Sequence, residues 1–384
     1  MINIFGTASQ LGYGIHSLNM VKAAIDAGEE IAIVNLSQPQ LDPYFESYWK
    51  KGSDNMNRFN AKEPSLFIFH DHFSNQSCGN PLATFSIFET YSLKPLSKAI
   101  LENGPTDIVL VTTQDHKEIL INNGIKKPIE VLHEGVDDDI YNTIPSTPWI
   151  DTNKFTYLTV GKKEGRKYSN DIILRFIQTM GDKEVALIAH TFNPFANRTN
   201  DNPLVNLACW TDINPNNFGF EYKGWDGKSH LFTKNNCDIY FTAPRLQIAE
   251  MSRLYHSANV GIQISHGEAW NLPLIESLAC GLPCIASNTL GHREYISNSP
   301  EIQKKLLIDV NGKEIAKDGI WFNGDAGEWE TVDLNNLDKL LIDTYNNQDA
   351  YSTKDEELSN YIVSNFSWKK AIKNCFGIFN KYTN

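Results

Sequence analysis

Two carboxylates, Glu268 and Glu276, stand on either side of seven residues, and a loop turns into a helix between them at Asn271-Leu272-Pro273. Asn is a good cap, and proline suits a first helical turn because its missing N–H has no partner there anyway. The free N–H groups of such a start bind an anion. A helix end beside two fixed carboxylates can hold a diphosphate and sugar hydroxyls together. The helix stops at Gly281 and feeds a short apolar strand at 283–286.

Four cations, Lys162, Lys163, Arg166 and Lys167, cluster after an apolar run at 155–160. Cations there can stabilise charge growing on a departing diphosphate. A glycine loop at 6–14, with Gly12 and Gly14, lets a backbone approach a ligand closely. His70-Asp71-His72 ends another apolar run, and Asp137-Asp138-Asp139 follows a fourth. Both invite a metal reading, but the first shows no third ligand and the second lies at the domain junction, so no metal is expected.

These segments need a scaffold. Short apolar runs at 2–5, 30–36, 65–69, 82–85, 108–111 and 129–132 read as strands, with helical spacing at 15–27, 93–103 and 114–123. This alternation predicts a parallel sheet covered on both faces. Pro145 and Pro148 in a polar stretch at 143–154 mark a linker. Alternation restarts with strands at 155–160, 184–189, 238–241, 260–264 and 283–286, and helices at 170–180, 247–257 and 272–280. The stretch 190–236 exceeds ordinary loop lengths and reads as an elaborated insert or a lid. An amphipathic helix rich in aromatics closes the chain at 366–382. Ligands of open α/β sheets sit beyond the C-terminal strand ends, where each motif above falls.

The chain has 384 residues, enough for two cores, and 41% of them are apolar. No apolar run approaches the ~20 residues that span a bilayer. The first residues read as a strand, without the basic region and cleavage site of a leader. Six cysteines are scattered with no CxxC pair, so burial is expected of them, and a reducing cytoplasm as the compartment. A net charge of −12 disfavours a surface that grips nucleic acid everywhere.

The string from Glu268 to Ala286 resembles the signature of retaining GT-B glycosyltransferases of family four. That signature has an acidic residue, a Gly-Phe-Gly-Leu-Pro-like turn, a second Glu and then Ala-x-Gly-x-Pro. The resemblance implies an α/β GT-B fold of two Rossmann-like βαβ domains with a cleft between them. The expected division is an acceptor-side domain over 1–148, a nucleotide-sugar domain over 149–365 and a helix over 366–384 crossing back to the first domain. Glu268 takes the place beside the donor sugar hydroxyls, and Glu276 that of the ribose ligand. Asn271 stands where many members have Gly, and Leu272 follows it in the phosphate-binding turn. Lys162 and Lys167 take the positions of the family's Arg and Lys facing the diphosphate, with Arg166 able to compensate for the fork that Lys162 lacks. The loop with Gly12 and Gly14 approaches the donor phosphate and the acceptor. Pro244 and Arg245, with Thr242 and Ala243, line the base. The family's histidine near the reaction centre has no counterpart in 83–90, where Glu89 is the nearest polar candidate. Glu134-Gly135-Val136-Asp137 and Phe366-Ser367-Trp368 resemble two further family segments.

The function implied is metal-independent transfer, with retention, of a hexose or pentose from a nucleoside-diphosphate sugar, a UDP-sugar before others, to an acceptor hydroxyl. No tightly bound cofactor is implied. The acceptor can be a glycan, a lipid, a small molecule or a modified DNA base. Two other enzymatic readings stay open: a phage-type DNA glycosyltransferase acting on 5-hydroxymethylated cytosine, and a sugar-nucleotide epimerase of the same fold. A non-catalytic sugar-nucleotide binder is a further alternative.

Overall fold

Strands that are apolar on both faces belong inside parallel sheets, and this chain builds two such sheets. The computed structural model describes residues 1–193, 207–242 and 245–383. The first sheet holds β1 (Ile2–Gly6), β2 (Ile31–Asn35), β3 (Ser65–Ile68), β4 (Leu82–Phe85), β5 (Ile108–Val111) and β6 (Ile129–Val131). All are parallel, in the order β2-β1-β3-β4-β5-β6. The chain leaves β1 toward β2 and returns on the other side as β3. That reversal opens a crevice beyond the ends of β1 and β3, where the glycine loop and His70 lie.

The second sheet contains β7 (Phe155–Lys162), β8 (Val185–Phe192), β9 (Glu221–Trp225), β10 (Ser229–Lys234), β11 (Cys237–Thr242), β12 (Val260–Gln263), β13 (Cys284–Ser287) and β14 (Leu307–Ile308). Its order is β14-β13-β12-β7-β8-β11-β10-β9. The same reversal occurs between β7 and β12. The cationic loop follows β7 and the signature loop follows β12, so the topology delivers Lys167 and Glu268 to one crevice. Strands β9 and β10 pair antiparallel and extend the sheet from β11. The described part of the predicted insert or lid is therefore largely sheet edge, and its residues 194–206 lie outside the described residues.

A hairpin of β15 (Val310–Lys317) and β16 (Asn323–Val332) was not anticipated. Most of β15 is exposed, so it carries no apolar alternation to mark it. The available signal is Asp318-Gly319 between two extended runs. The hairpin bridges the two halves. Tyr91 N donates to Glu328 O at 2.8 Å, and Lys94 Nζ to Trp321 O at 2.8 Å.

The first helix begins at Gly12, three residues before the apolar spacing predicts. Gly14 sits so tightly on Ser9 that a Cβ would overlap the Ser9 backbone, whereas Gly12 faces open space. At the other end Ser367 caps the helix Trp368–Tyr382 and pairs with Val136 of the first half. Trp368 lies 5.3 Å from His16, and Lys369 Nζ 3.0 Å from Asp138 Oδ1. No helix among the described residues is long and apolar enough to cross a membrane.

Candidate active site

Asn271 takes a left-handed conformation, φ 74° and ψ 78°, which Asn tolerates better than other side chains with a Cβ. This explains Asn at a position where the resembling family favours Gly. Its Oδ1 accepts from Leu274 N at 3.3 Å, capping the helix Leu272–Ala279. Its Nδ2 lies 2.9 Å from His292 Nε2, and His292 Nδ1 lies 2.9 Å from Ser287 O. Burial lowers His292 to about 4, so the ring is neutral. It donates to the Ser287 carbonyl and accepts from Asn271, which fixes the turn.

Glu268 is 5% exposed and held by two cations. Lys167 Nζ lies 2.7 Å from Oε1, and Arg166 Nη1 2.9 Å from Oε2. Burial alone would raise this carboxyl. Arg166 first, then Lys167, outweigh it and hold Glu268 ionised well below the usual carboxylate range. Arg166 is buried in turn. Nη1 also donates to Gly267 O at 2.5 Å, and Nη2 to Glu164 Oε2 at 3.1 Å. Glu89 of the first half lies 3.8 Å from Nη2. Burial raises the Glu89 carboxyl, Arg166 opposes, and the nearby Glu268 and Glu164 charges add to the rise.

A small pocket opens beside this cluster, bounded by Gly161, Lys167, Thr191, Gln263, Glu268 and Asn271. It presents one ammonium, one carboxylate and a capped helix start. That set can bind an anion next to a hydroxylated group. Gly267 and Gly291 make it possible. A Cβ on Gly267 would overlap the Glu89 carbonyl, and one on Gly291, at φ 84°, would overlap the Glu268 carbonyl.

The other expected residues lie as follows. Lys162 pairs with Glu164 at 2.6 Å and faces the Trp321 ring. Leu272 opens the helix. Glu276 lies one face away, where Tyr255 Oη donates to Oε2 at 2.7 Å, and it does not line the pocket. Gly12 and Gly14 open the first helix, and Gln10 of their loop donates to Leu246 O at 3.3 Å across the cleft. Arg245, next to Leu246, is exposed. Ala243 and Pro244 lie outside the described residues. Asp137 to Asp139 are met by the chain's own cations: Lys22 Nζ lies 3.0 Å from Asp139 and 3.6 Å from Asp137, and Lys369 binds Asp138.

Sequence reasoning missed Glu330 and His266. Glu330 is 4% exposed and joins Arg293, Thr289 and Leu290 to Tyr91 of the first half. His266 stacks between Tyr168 at 4.2 Å and Trp329 at 4.5 Å. Both fasten the hairpin to the signature loop. Neither has a local sequence signal, since partner and residue are far apart in the chain.

Glu276 sets a pH dependence. Burial raises its carboxyl to about 8, with Tyr255 and Tyr141 opposing. Between the unfolded value near 4.5 and about 8, the folded state keeps a proton that the unfolded chain has lost. Stability therefore falls with rising pH, by up to ~1.4 kcal/mol per unit. Glu276→Gln removes this slope. Urea midpoints at pH 5, 6.5 and 8 should show the variant gaining on the parent as pH rises, and parallel curves would contradict the assignment.

Comparison with known proteins adds two findings. Residues 229–321 match the family described as glycosyl transferases group 1. The fold matches solved glycosyltransferase structures along nearly its whole length. Sucrose-phosphate synthase from Thermosynechococcus elongatus is 13% identical with a TM-score of 0.65, covering 99% of this chain and 98% of that one. HepE from Anabaena, solved in complex with UDP-glucose, is 11% identical at 0.65, with 99% of each chain covered. WaaG, a glycosyltransferase involved in lipopolysaccharide biosynthesis, is 11% identical at 0.57, again with 99% of each covered. A search of curated protein sequences returns no match. The two domains and their cleft are the GT-B fold, and fold and matched segment together support a glycosyltransferase enzyme.

Proposed function

We propose that the chain transfers a sugar, with retention and without a metal, from a nucleoside-diphosphate sugar to an acceptor hydroxyl. One observation carries this reading: Glu268 is held ionised by Arg166 and Lys167 at the mouth of a capped helix, in the crevice between β7 and β12. Glu268 orients the donor sugar through its hydroxyls. Lys167 and the N–H of Leu272, at the start of Leu272–Ala279, receive the diphosphate, and their positive charge stabilises its departure. Lys162 adds charge from the rim. Glu276, which the resemblance assigns to the ribose, stands outside the pocket on the Tyr255 side, Arg245 flanks the base, and the loop holding Gly12 and Gly14 approaches the donor phosphate and the acceptor. Glu89 faces the acceptor side.

UDP is the nucleotide we favour, because HepE was solved with UDP-glucose. The six free cysteines fit a reducing compartment, and we place the reaction in the cytoplasm. The test is incubation with UDP-glucose and a panel of acceptors, with and without EDTA. UDP release that depends on acceptor, survives EDTA and yields an α-linked product by proton NMR is expected. A β-linked product would overturn retention, and loss of turnover with EDTA would overturn metal independence.

A further inference from the structure

Tyr168 follows Lys167 directly and takes a left-handed backbone, φ 49° and ψ 30°. Three non-glycine residues among the described residues have a positive φ, and the other two are Asn235 and Asn271. Asn tolerates this region through its short polar side chain, whereas a bulky ring there is strained. Such strain persists only where the surroundings over-determine it, and it gathers at functional sites. Here it makes a sharp reversal. The 3-10 turn Gly165–Lys167 closes with Tyr168 N donating to Gly165 O at 3.0 Å. The helix Ser169–Met180 then opens with Ile172 N donating to Tyr168 O at 2.9 Å. The Tyr168 backbone therefore sets the direction from which Lys167 reaches Glu268.

A column of three buried rings holds that backbone. Tyr168 stacks on His266 at 4.2 Å and 23°, and His266 on Trp329 at 4.5 Å and 18°. Trp329 is fixed in turn: Nε1 donates to Glu314 Oε1 at 3.0 Å, and the Phe322 ring lies 5.3 Å away. His266 is fixed by its backbone. Its N–H donates to Arg166 O at 2.9 Å, and its carbonyl accepts from Glu330 N at 3.0 Å. Its Nδ1 lies 2.7 Å from Glu330 O, and burial lowers the proton affinity of the ring, so a neutral imidazole donates there. The column joins the cationic turn through Tyr168, the signature loop through His266 and the β15–β16 hairpin through Trp329. Plain core packing calls for apolar rings. It does not call for a tyrosine in a left-handed turn beside Lys167, which lines the pocket.

We propose that Trp329 is a positioning residue for sugar transfer. Acting through His266, it holds the left-handed backbone of Tyr168 and so aims Lys167 at Glu268 and at the donor diphosphate. The hairpin then belongs to the working donor site, although none of its residues lines the pocket. This rests on the glycosyltransferase reading and extends its machinery to a segment far along the chain.

The test measures UDP affinity by calorimetry and the rate of UDP release from UDP-glucose, with urea midpoints to confirm folding. Tyr168→Ala and Tyr168→Gly both delete the ring and differ only in a Cβ. Glycine takes the left-handed turn freely and alanine does not, so the glycine variant binds UDP about tenfold more tightly than the alanine variant. Trp329→Ala weakens UDP binding about tenfold and slows release with it, because a displaced group loses rate as well as contact. Trp329→Phe keeps a ring in the column and retains most of both. Adding Tyr168→Gly to Trp329→Ala recovers UDP affinity, although it deletes a second ring. Equal UDP affinity in the two Tyr168 variants overturns the proposal. So does a Trp329→Ala protein that loses only stability, or a double variant no better than Trp329→Ala. If Trp329→Ala does not fold, the Tyr168 pair decides alone. A parent chain that binds no UDP is a different result, and overturns the glycosyltransferase reading and this assignment together.

Discussion

Glu268→Gln severely slows sugar transfer while leaving UDP bound. The substitution keeps the size of the side chain and one acceptor oxygen but removes the charge that Arg166 and Lys167 hold in place. In the proposed site that charge meets the sugar, not the nucleotide, so the loss falls on turnover. We expect a fall in kcat of ~10²–10³, as for removal of a preorganised electrostatic contact, with UDP affinity within a few-fold of the parent. Single-turnover release of UDP from UDP-glucose reads the first, and calorimetry the second. Turnover near the parent level would remove Glu268 from the reaction. The charge also has a pH signature opposite to that of Glu276. Glu268 is held below its ordinary range, so its contribution to stability is present above the unfolded value near 4.5 and lost as pH falls further.

Arg166→Met costs both the fold and the reaction. The guanidinium is buried among Glu268, Glu164 and Glu89, and also donates to the Gly267 carbonyl. Removing it leaves carboxylates buried with one cation fewer. Breaking a buried ion pair from one side destabilises by ~3–5 kcal/mol, and that is the loss expected in urea unfolding at pH 7. Lys162 still reaches Glu164 and Lys167 still reaches Glu268, so the lower end of that range applies. Arg166→Lys rescues little, because a single ammonium cannot reproduce a fork that spans Glu164 on one side and Gly267 with Glu268 on the other. A Met variant as stable as the parent would mean that these carboxylates take up protons at little cost, and the ionised state assigned to Glu268 would fail with it.

The strands, the parallel sheets and the crevice position of the signature loop were legible because they rest on local apolar runs and on strand-end topology. Asn271 was legible as a cap, and its left-handed backbone accounts for its identity. What could not be read was set by contacts distant in sequence. Arg166 looked like a helper for Lys162 until folding placed Ser265 to Glu268 around it. The resemblance gives Glu276 the ribose, and spacing alone does not show that Tyr255 donates to its carboxyl. The β15–β16 hairpin escaped because its exposed strand has no buried stripe, although its far end carries Glu330 and Trp329 into the domain junction.

The most direct measurement titrates UDP into the parent chain and into Lys167→Ala by calorimetry. Lys167 lies 2.7 Å from Glu268 and lines the pocket at the helix start, so the account predicts binding to the parent and a loss of about 10- to 100-fold in the variant, the order of one charge-assisted contact to phosphate. Equal affinity in the two proteins, or no binding to either, would contradict the placement of the donor diphosphate between Lys167 and Leu272.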